Sequence, residues 1–439
     1  MAFRWAPAPP RDSHRIGRAA ARMIRQMISH RSFPNGLRVV AEKVPGVRSV
    51  AVGVWVDVGS RDEVPATYGA SHFLEHLLFK GTDRWSAEGI ARALDAVGGE
   101  FNAWTSKEQT VFHVRVLDDD LDLGLDILAD ITQRPALRSA EVDSERNVVL
   151  EEINMYEDSP DELVHDIFGE TILHRHALGR PVLGTKDTIS KMARDDVAAH
   201  FGRWYGAGRT VVAIAGNIDP AAVSDRIAEL WATMAPATGA RELAVPDAGA
   251  STEVRRRDTE QTHLVIGAPA FARDDDRRYA LSAVNHVFGG GMSSRLFQEI
   301  RERRGLVYST YSYRSLFEET GYVAAYAGCA PERAHETLDL LRGQWDAMAR
   351  GISADELTGA KGHLRAQIAM GEEDTGSRMG RIGRSLLTHG EVPTVDELIA
   401  RIDAVSVDDT SALCAELFAR PCSTVVLGPD DTAGSRAVA

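Results

Sequence analysis

Residues 141–155 read EVDSERNVVLEEINM, and they align without a gap on residues 356–370, ELTGAKGHLRAQIAM, at an offset of 215 residues. Close to the same offset, residues 210–215 (TVVAIA) match residues 424–427 (TVVL), and a glycine and an acidic turn follow each of them. Repetition at a long fixed period indicates a duplicated structural unit. The sequence therefore predicts two α+β domains of similar fold.

The boundaries of these two domains follow from composition and pattern. From residue 33 onward, short β-rich runs alternate with longer helical patterns. The segment between the repeats is rich in Ala, Gly and Pro, which is typical of a linker. We predict two domains, residues 33–235 and 258–430, that each pack a mainly antiparallel sheet with helices. Residues 236–257 form the linker between them, residues 1–32 an N-terminal extension and residues 431–439 a tail.

Bulk composition excludes several classes of protein. A net charge of −14 over 439 residues argues against a nucleic-acid partner, which would normally select a basic face. No apolar run approaches the ~18 residues that a membrane span needs, so we expect no membrane span. The three cysteines (Cys329, Cys414 and Cys422) have no metal-type spacing, which favours a reducing compartment.

The N-terminal segment is compatible with two cellular compartments. Residues 1–31 contain seven arginines and one acid, with an apolar stripe at helical spacing. That pattern is similar to a mitochondrial transit peptide, which would place the protein in the mitochondrial matrix. The alternative is a weakly ordered leader in an arginine-rich bacterial protein. We favour the alternative and expect a cytoplasmic bacterial protein.

The pentapeptide His72-Phe73-Leu74-Glu75-His76 carries the chemistry of the first domain. Residues four apart lie on one face of a helix, so His72 and His76 can bind one metal ion. Glu75 projects beside that pair as a possible base, and H-x-x-E-H is the inverted form of the zinc-protease helix motif. The alternative is two histidines on a partly exposed helix.

A catalytic zinc site needs a third protein ligand and a position left for water. The predicted helix at residues 140–156 carries Glu141, Glu145, Glu151 and Glu152. Glu145 and Glu152 are two turns apart on one face, near the edge of a buried stripe. The alternative for these glutamates is a solvated acidic face.

The duplication separates the two halves by function. Gln367 occupies the position of Glu152 in the second half, and Ala360 occupies the position of Glu145. The segment that corresponds to His72–His76 falls near residues 287–291, which contain neither a histidine pair nor a glutamate. This asymmetry predicts one catalytic half and one half that helps to hold the substrate.

Three stretches together resemble peptidase family M16, the zinc metallopeptidases that include pitrilysin, insulin-degrading enzyme and the mitochondrial processing peptidase. HFLEH is followed by a glutamate 76 residues after His76. Residues 145–162 (ERNVVLEEINMYEDSPDE) resemble the family's third-ligand helix, which maps the ligand to Glu152 and a supporting acid to Glu145. Residues 289–309 (GGGMSSRLFQEIRERRGLVYS) resemble its glycine-rich segment and Arg/Tyr pair, matched here by Arg301 and Tyr308.

The resemblance implies a site and a mechanism. It implies one Zn²⁺ per chain, held by His72, His76 and Glu152. Glu75 would act as general base, taking a proton from water and passing it to the leaving amine. In the second half, Tyr308 would donate a hydrogen bond to the oxyanion, and Arg301 would orient the substrate or that tyrosine. The alternative for this pair is a structural arginine and a buried tyrosine on a strand.

The resemblance also implies how substrate and partner bind. Residues 99–112 (GEFNAWTSKEQTVF) match a sheet edge to which the substrate adds as a strand, with Asn102 and Ala103 at the matching positions; an ordinary turn is the alternative. Long family members close four such domains into a clamshell chamber. Two domains form half of that chamber, so we expect a homodimer, or a heterodimer if an inactive paralogue exists.

The expected function is zinc-dependent endopeptidase activity on oligopeptides or on unfolded or pre-protein segments. One rival is a non-catalytic assembly subunit of a processing-peptidase-like complex, because some relatives have lost their ligands. Another rival is zinc-dependent hydrolysis of a substrate that is not a peptide. The presence of His72, Glu75, His76 and Glu152 counts against the first rival.

Overall fold

A computed structural model describes residues 28–174, 176–247 and 249–429 of the chain. The strands are β1 Ile28–Ser32, β2 Arg38–Lys43, β3 Ser49–Val56, β4 Glu100–Thr105, β5 Thr110–Leu117, β6 Thr210–Gly216, β7 Thr252–Arg256, β8 Thr262–Ala270, β9 Val307–Leu316, β10 Gly321–Cys329 and β11 Ser423–Gly428. The helices of the first half are α1 Ala70–Leu78, α2 Ala87–Ala96, α3 Leu121–Gln133, α4 Ser139–Glu157, α5 Pro160–Ile172, α6 Lys186–Lys191, α7 Arg194–Trp204 and α8 Pro220–Leu230. Those of the second half are α9 Arg278–Gly289, α10 Ala334–Met348, α11 Ala354–Gly371, α12 Thr375–His389, α13 Val395–Ala404 and α14 Val407–Leu417.

Two mixed sheets repeat the same plan. The first has the strand order β1-β2-β6-β3-β5-β4, and the second has the order β7-β11-β8-β10-β9. In each sheet one pair is parallel, β2 with β6 and β7 with β11, and the inner strands pair antiparallel. The helices recur in the same order, and α4 and α11 begin at the offset of the sequence repeat. The prediction of two similar α+β domains is confirmed.

The central strands β3, β6 and β10 are apolar at almost every position because both faces of each sheet are covered. Along β3, Val50, Val52 and Val54 face the helices of the first half, while Ala51 and Trp55 face the opposite side. Side chains alternate between the faces of a strand, so each face contributes its own apolar layer. A strand buried on one face alone would alternate with polar residues.

A helix from each half covers the second face of the other half's sheet. α5 packs on β8 and β11, with Phe168 against Val265, Ala324 and Val425. α12 packs on β2, β3 and β6. Its contact residues are Met379, Ile382 and Leu386, which meet Val40, Ala51, Trp55, Val211, Ala213 and Ala215. This exchange makes the apolar layer of each sheet depend on both halves of the chain.

Two predicted segments contain strands that the sequence pattern did not indicate. Thr252–Arg256, inside the segment predicted as a linker, is β7 and pairs parallel with β11. Ile28–Ser32, at the end of the predicted N-terminal extension, is β1 and pairs with β2. Both are edge strands, and one unpaired side lets them carry polar residues without the apolar signal of an inner strand. The rest of the basic segment, residues 1–27, and the predicted tail, residues 431–439, lie outside the described residues.

Across the ranges that the structure describes, every helix is too short or too polar to span a bilayer.

The helix exchange predicts that a substitution in the second half destabilises the first. Ile382 is fully buried against the first sheet, so Ile382→Ala should lower the free energy of unfolding by about 2–5 kcal/mol. The change is measured by urea unfolding, followed by far-UV circular dichroism and by tryptophan fluorescence. Trp55, which lies beneath α12, contributes to the fluorescence signal. Met370→Ala on α11 is the control, because Met370 is 55% exposed and its loss should cost less than about 0.5 kcal/mol. Equal stability of the two variants would contradict the exchange.

Candidate metal centre

Three side chains converge where α1 packs against α4. His72 Nε2 and His76 Nε2 are 3.2 Å apart. Glu152 Oε2 lies 3.5 Å from His72 Nε2 and 3.4 Å from His76 Nε2. In the described part of the chain, this is the group of His, Cys, Asp and Glu side chains whose ligand atoms come close enough to share one metal ion.

Apolar packing and a buried carboxylate position α1. Phe73, Leu74 and Leu77 are buried in the core of the first half. At the start of the helix, Gly69 N–H and Ser71 N–H each donate a 2.7 Å hydrogen bond to Glu63. Burial raises the pKa of Glu63 to about 8, and these two backbone donors oppose that rise. Glu63 therefore satisfies N–H groups that have no partner within the helix.

Gly69 has a backbone conformation that permits the start of α1 to pack closely against Leu183. Its φ is +92°, in the left-handed region that favours glycine. A Cβ there would lie 2.6 Å from Leu183 O, so any side chain would displace the loop that covers the start of α1. The turn before the histidines thus tolerates only glycine without a local shift.

Glu145 orients His76. His76 Nδ1 lies 3.0 Å from Glu145 Oε1, and Lys80 Nζ lies 2.5 Å from Glu145 Oε2. When His76 Nδ1–H donates to the buried Glu145, the lone pair of Nε2 faces His72 and Glu152. Burial lowers the pKa of His76, but Glu152 and Glu145 outweigh it and raise the pKa overall.

His72 is held in the neutral form that binds metals. Burial, followed by the neighbouring His76, lowers the pKa of His72 to about 4. The neighbouring His76 is the main cause of a lowered pKa at Glu152. A neutral imidazole and an ionised carboxylate are the protonation states that metal ligation requires.

Glu75 lies beside the three side chains in a half-buried, hydrogen-bonded position. Thr105 Oγ1, at the end of β4, donates a 2.5 Å hydrogen bond to Glu75 Oε2. Burial raises the pKa of Glu75, against opposing contributions from Thr105 and His76. A carboxylate with a raised pKa accepts a proton more readily than an exposed one.

The turn between β4 and β5, which follows Thr105, is bound to the second half by buried ions. Arg61 Nη1 donates to Glu108 Oε1 at 2.7 Å, and its other terminal nitrogen bonds to Glu319 in the β9–β10 connection. Arg273 Nη1 donates to Glu108 Oε2 at 2.5 Å. The side chain of Arg61 is 1% exposed. One glutamate on this turn thus joins cations from both halves.

A second part of this network anchors the predicted linker. Arg241 donates to both oxygens of Asp62, at 2.9 and 2.8 Å, and to Glu318 Oε2 at 3.0 Å. Arg241 and Asp62 are both buried. The segment between the two halves is therefore held against the first half and the β9–β10 connection.

Asn102 and Ala103 lie in β4, the edge strand of the first sheet. They pair with His113 and Phe112 of β5 on one side. The same strand ends at Thr105, the hydrogen-bond partner of Glu75. The two residues thus lie on the sheet edge next to the candidate metal centre.

Arg301 and Tyr308 form a pair of their own in the second half. The guanidinium of Arg301 lies 4.7 Å from the ring centroid of Phe297 and 5.0 Å from that of Tyr308, within range of cation–π attraction. Tyr308 is 80% exposed at the start of the edge strand β9. Within the described residues, no hydrogen bond or ion pair joins either residue to the three converging side chains. The alternative of a buried tyrosine is therefore wrong, and the role of the pair in catalysis stays a prediction.

Sequence reasoning did not identify several residues that support the site. No motif or spacing indicates Glu63, Lys80 or Arg61. Thr105 and Glu108 lie within the stretch 99–112 that resembles a substrate-binding sheet edge, but no pattern assigns either of them a role. Some of their partners are distant in sequence, since the Arg61–Glu319 pair spans 258 residues. The Gly69 turn was the one local signal, because a glycine directly before a helix often has a special backbone conformation.

Comparison with known proteins identifies the family. Residues 38–186 match insulinase-type peptidase family M16, and residues 191–364 match the peptidase M16 inactive domain. An uncharacterized zinc protease of Streptomyces coelicolor is 44% identical over 410 residues, which cover 91% of this chain and 89% of the relative. An uncharacterized zinc protease of Bacillus subtilis is 38% identical over 405 residues, which cover 92% and 98%.

Solved structures agree in fold. The crystal structure of a peptidase M16 inactive domain from Pseudomonas fluorescens superposes with a TM-score of 0.86 at 20% identity, covering 92% of this chain and 98% of that one. A protease from Helicobacter pylori gives a TM-score of 0.82 at 24% identity, covering 91% and 99%. With the sequence matches across both halves, these comparisons show that the chain belongs to peptidase family M16.

Proposed function

We propose that this protein is a zinc endopeptidase that hydrolyses peptide bonds in oligopeptides or in unfolded and pre-protein segments. The observation that carries the proposal is the convergence of His72, His76 and Glu152 within 3.5 Å of one another, beside the half-buried Glu75. Relatives across nearly the whole length of the chain are named zinc proteases, which supports the choice of metal.

The donor set suits zinc. Tetrahedral zinc with nitrogen and oxygen ligands at ~2.0–2.1 Å separates its ligand atoms by ~3.3–3.4 Å. The three separations here are 3.2, 3.5 and 3.4 Å. Two imidazoles and one carboxylate make three protein ligands, the number that leaves a position for water in catalytic sites. We infer one Zn²⁺ per chain, held by these three residues.

Glu75 is the proposed general base. Zinc, when bound, supplies the Lewis acidity that activates water and polarises the scissile carbonyl. Glu75 accepts the proton of the attacking water and transfers it to the leaving amine. Its raised pKa favours proton uptake, and the hydrogen bond from Thr105 keeps its carboxylate in one orientation. Glu145 acts through His76 and is a positioning residue.

The proposed substrate-binding element is the free edge of β4. An extended peptide can add to a sheet edge through main-chain hydrogen bonds, which tolerates varied side chains. A strand added beside Asn102 and Ala103 would run past Thr105 towards Glu75. This geometry favours peptides or unfolded segments over compact folded substrates.

Tyr308 and Arg301 are proposed to act on substrate bound to another copy of the chain. Tyr308 is exposed and has no contact with its own metal centre in the described residues, while its ring is stacked by Arg301. In a homodimer, the second half of one copy would cover the first half of its partner and donate the Tyr308 hydroxyl to the oxyanion. The proposal therefore includes a homodimer that forms a closed chamber.

The first prediction concerns the base. Glu75→Gln should retain zinc but lower kcat by about 10²–10⁴-fold, because the amide cannot accept the proton of water. Fluorogenic peptide hydrolysis and zinc content by atomic emission measure both properties. Glu151→Gln is the matched control, since Glu151 is an exposed glutamate beside Glu152 on α4. Near-normal hydrolysis by Glu75→Gln would refute the assigned role.

The second prediction concerns metal affinity. Chelation should abolish hydrolysis and added Zn²⁺ should restore it. Glu145→Gln should weaken zinc affinity by about 10–100-fold, because it removes the charge that orients His76 and pairs with Lys80. Competition with a chromogenic chelator measures the affinity, again with Glu151→Gln as control. Unchanged affinity would show that Glu145 does not position the ligand.

The third prediction separates action within one chain from action across a dimer. Tyr308→Phe should lower kcat by about 10²–10³-fold with little effect on KM. Mixing this variant with Glu75→Gln should restore about one quarter of wild-type activity if each site combines Glu75 of one copy with Tyr308 of the other. Subunit exchange is verified by native mass spectrometry with an isotopically labelled variant. Absence of restored activity after exchange would exclude the shared site.

A further inference from the structure

A basic cavity lies between the two halves, away from the three metal-site residues. Its volume is about 550 Å³. The β4–β5 turn lines it from the first half, and α9, β9 and α12 line it from the second. The cationic residues of its lining are Lys107, Arg273, Arg278, Arg314 and Arg384, of which Lys107 is paired with Asp166 and Arg273 with Glu108. Glu108 is the acidic residue of the lining, and it is bonded to Arg61 and Arg273.

Arg314 is not neutralised by any carboxylate of the residues that the structure describes. Its Nη2 donates a 2.9 Å hydrogen bond to Ser282 Oγ, and among the described residues no Asp or Glu oxygen lies within 4.0 Å of its guanidinium. Arg314 is an exposed residue of the lining, and partial desolvation lowers its pKa. The guanidinium retains donors that have no partner among the described residues, and an anion in the cavity would be stabilised by charge-assisted hydrogen bonds to them.

Arg384 is a second cation for which the described residues supply no partner. It is exposed on α12, and in the described part of the chain its guanidinium has neither an ion pair nor a hydrogen bond. Beside it, burial and then the charges of Arg278 and Arg273 lower the pKa of His389. Arg278 pairs with an acid only at 3.6 Å, to the 97%-exposed Asp276. The lining thus contains five cationic residues and one acidic residue, although the whole chain has a net charge of −14.

We propose that this cavity binds a phosphate-type oxyanion, either free phosphate or the phosphate group of a small phosphomonoester. Arg314 and Arg384 supply two uncompensated positive charges, which match a dianion better than a single carboxylate. The guanidinium fork suits the geometry of phosphate oxygens. The volume lies in the range of small-molecule sites, so it can also accommodate the organic part of an ester.

The bound anion would join the two halves. Its ligands come from α12 and β9 in the second half, and Gln109 lines the cavity from the turn after Thr105. The ammonium of Lys107 is bonded instead to the carbonyl oxygen of Arg180 and paired with Asp166. This inference does not depend on the proposed peptidase activity, because it rests on residues outside the metal centre. Its test is therefore binding, measured without hydrolysis.

The proposal is tested by isothermal titration calorimetry of the full chain. Inorganic phosphate and glycerol 3-phosphate are titrated separately, and the ionic strength is held constant with sodium chloride. The double variant Arg314→Gln/Arg384→Gln should weaken binding by about tenfold or more. The double variant Arg92→Gln/Arg333→Gln should bind as wild type, because both residues are exposed and pair with local glutamates. Circular dichroism and the Tm confirm that both variants are folded.

The two ligands distinguish the two sources of the phosphate group. Binding of both supports a site for which free phosphate suffices, and binding of glycerol 3-phosphate alone supports a site that also contacts the organic part. Absence of binding to either ligand by the wild-type chain overturns the proposal. Equal binding by wild type and Arg314→Gln/Arg384→Gln also overturns it, because the anion would then bind elsewhere, including at the metal centre.

Discussion

The exchange of α5 and α12 between the two sheets is the constraint on which the rest of the structure depends. Each helix fills the face of a sheet whose strands belong to the other half, with Phe168 and Ile382 at the centres of the two contacts. Burial of apolar area drives these contacts, and the hydrophobic driving force has no directional preference. They hold the halves in one relative arrangement, and every directional interaction between the halves is formed within it.

The buried ion network illustrates this dependence. Removal of Arg61, Glu108 and Glu319 from water costs free energy that their attraction offsets only when the geometry is good. Such a network is a weak source of stability but a sensitive determinant of position. The network fixes the β4–β5 turn, which directly follows Thr105. Thr105 in turn orients Glu75 through a hydrogen bond. Packing between the halves is thereby connected to the orientation of the proposed base.

The sequence could predict those parts of the site that are local or repeated. The spacing of His72 and His76 is a property of one helix, and Glu152 lies on the helix that the internal repeat identified. Thr105 and Glu108 could not be predicted, because their roles arise from contacts with residues far away in sequence. For the same reason the helix exchange was missed, since an amphipathic pattern indicates an apolar face and not the sheet that the face will contact.

The second half explains why duplication preserved the fold without the site. α9 and α11 pack together as α1 and α4 do, yet their histidines His286 and His363 stack face to face, with centroids 4.0 Å apart and planes at 14°. Stacked rings present their faces to each other, so their nitrogen lone pairs do not converge on one point. Ala360 is buried where a supporting acid would be needed, and Gln367 is exposed. Because the helix exchange needs a sheet and a helix from each half, the scaffold must be present twice, whereas the ligands are needed only once.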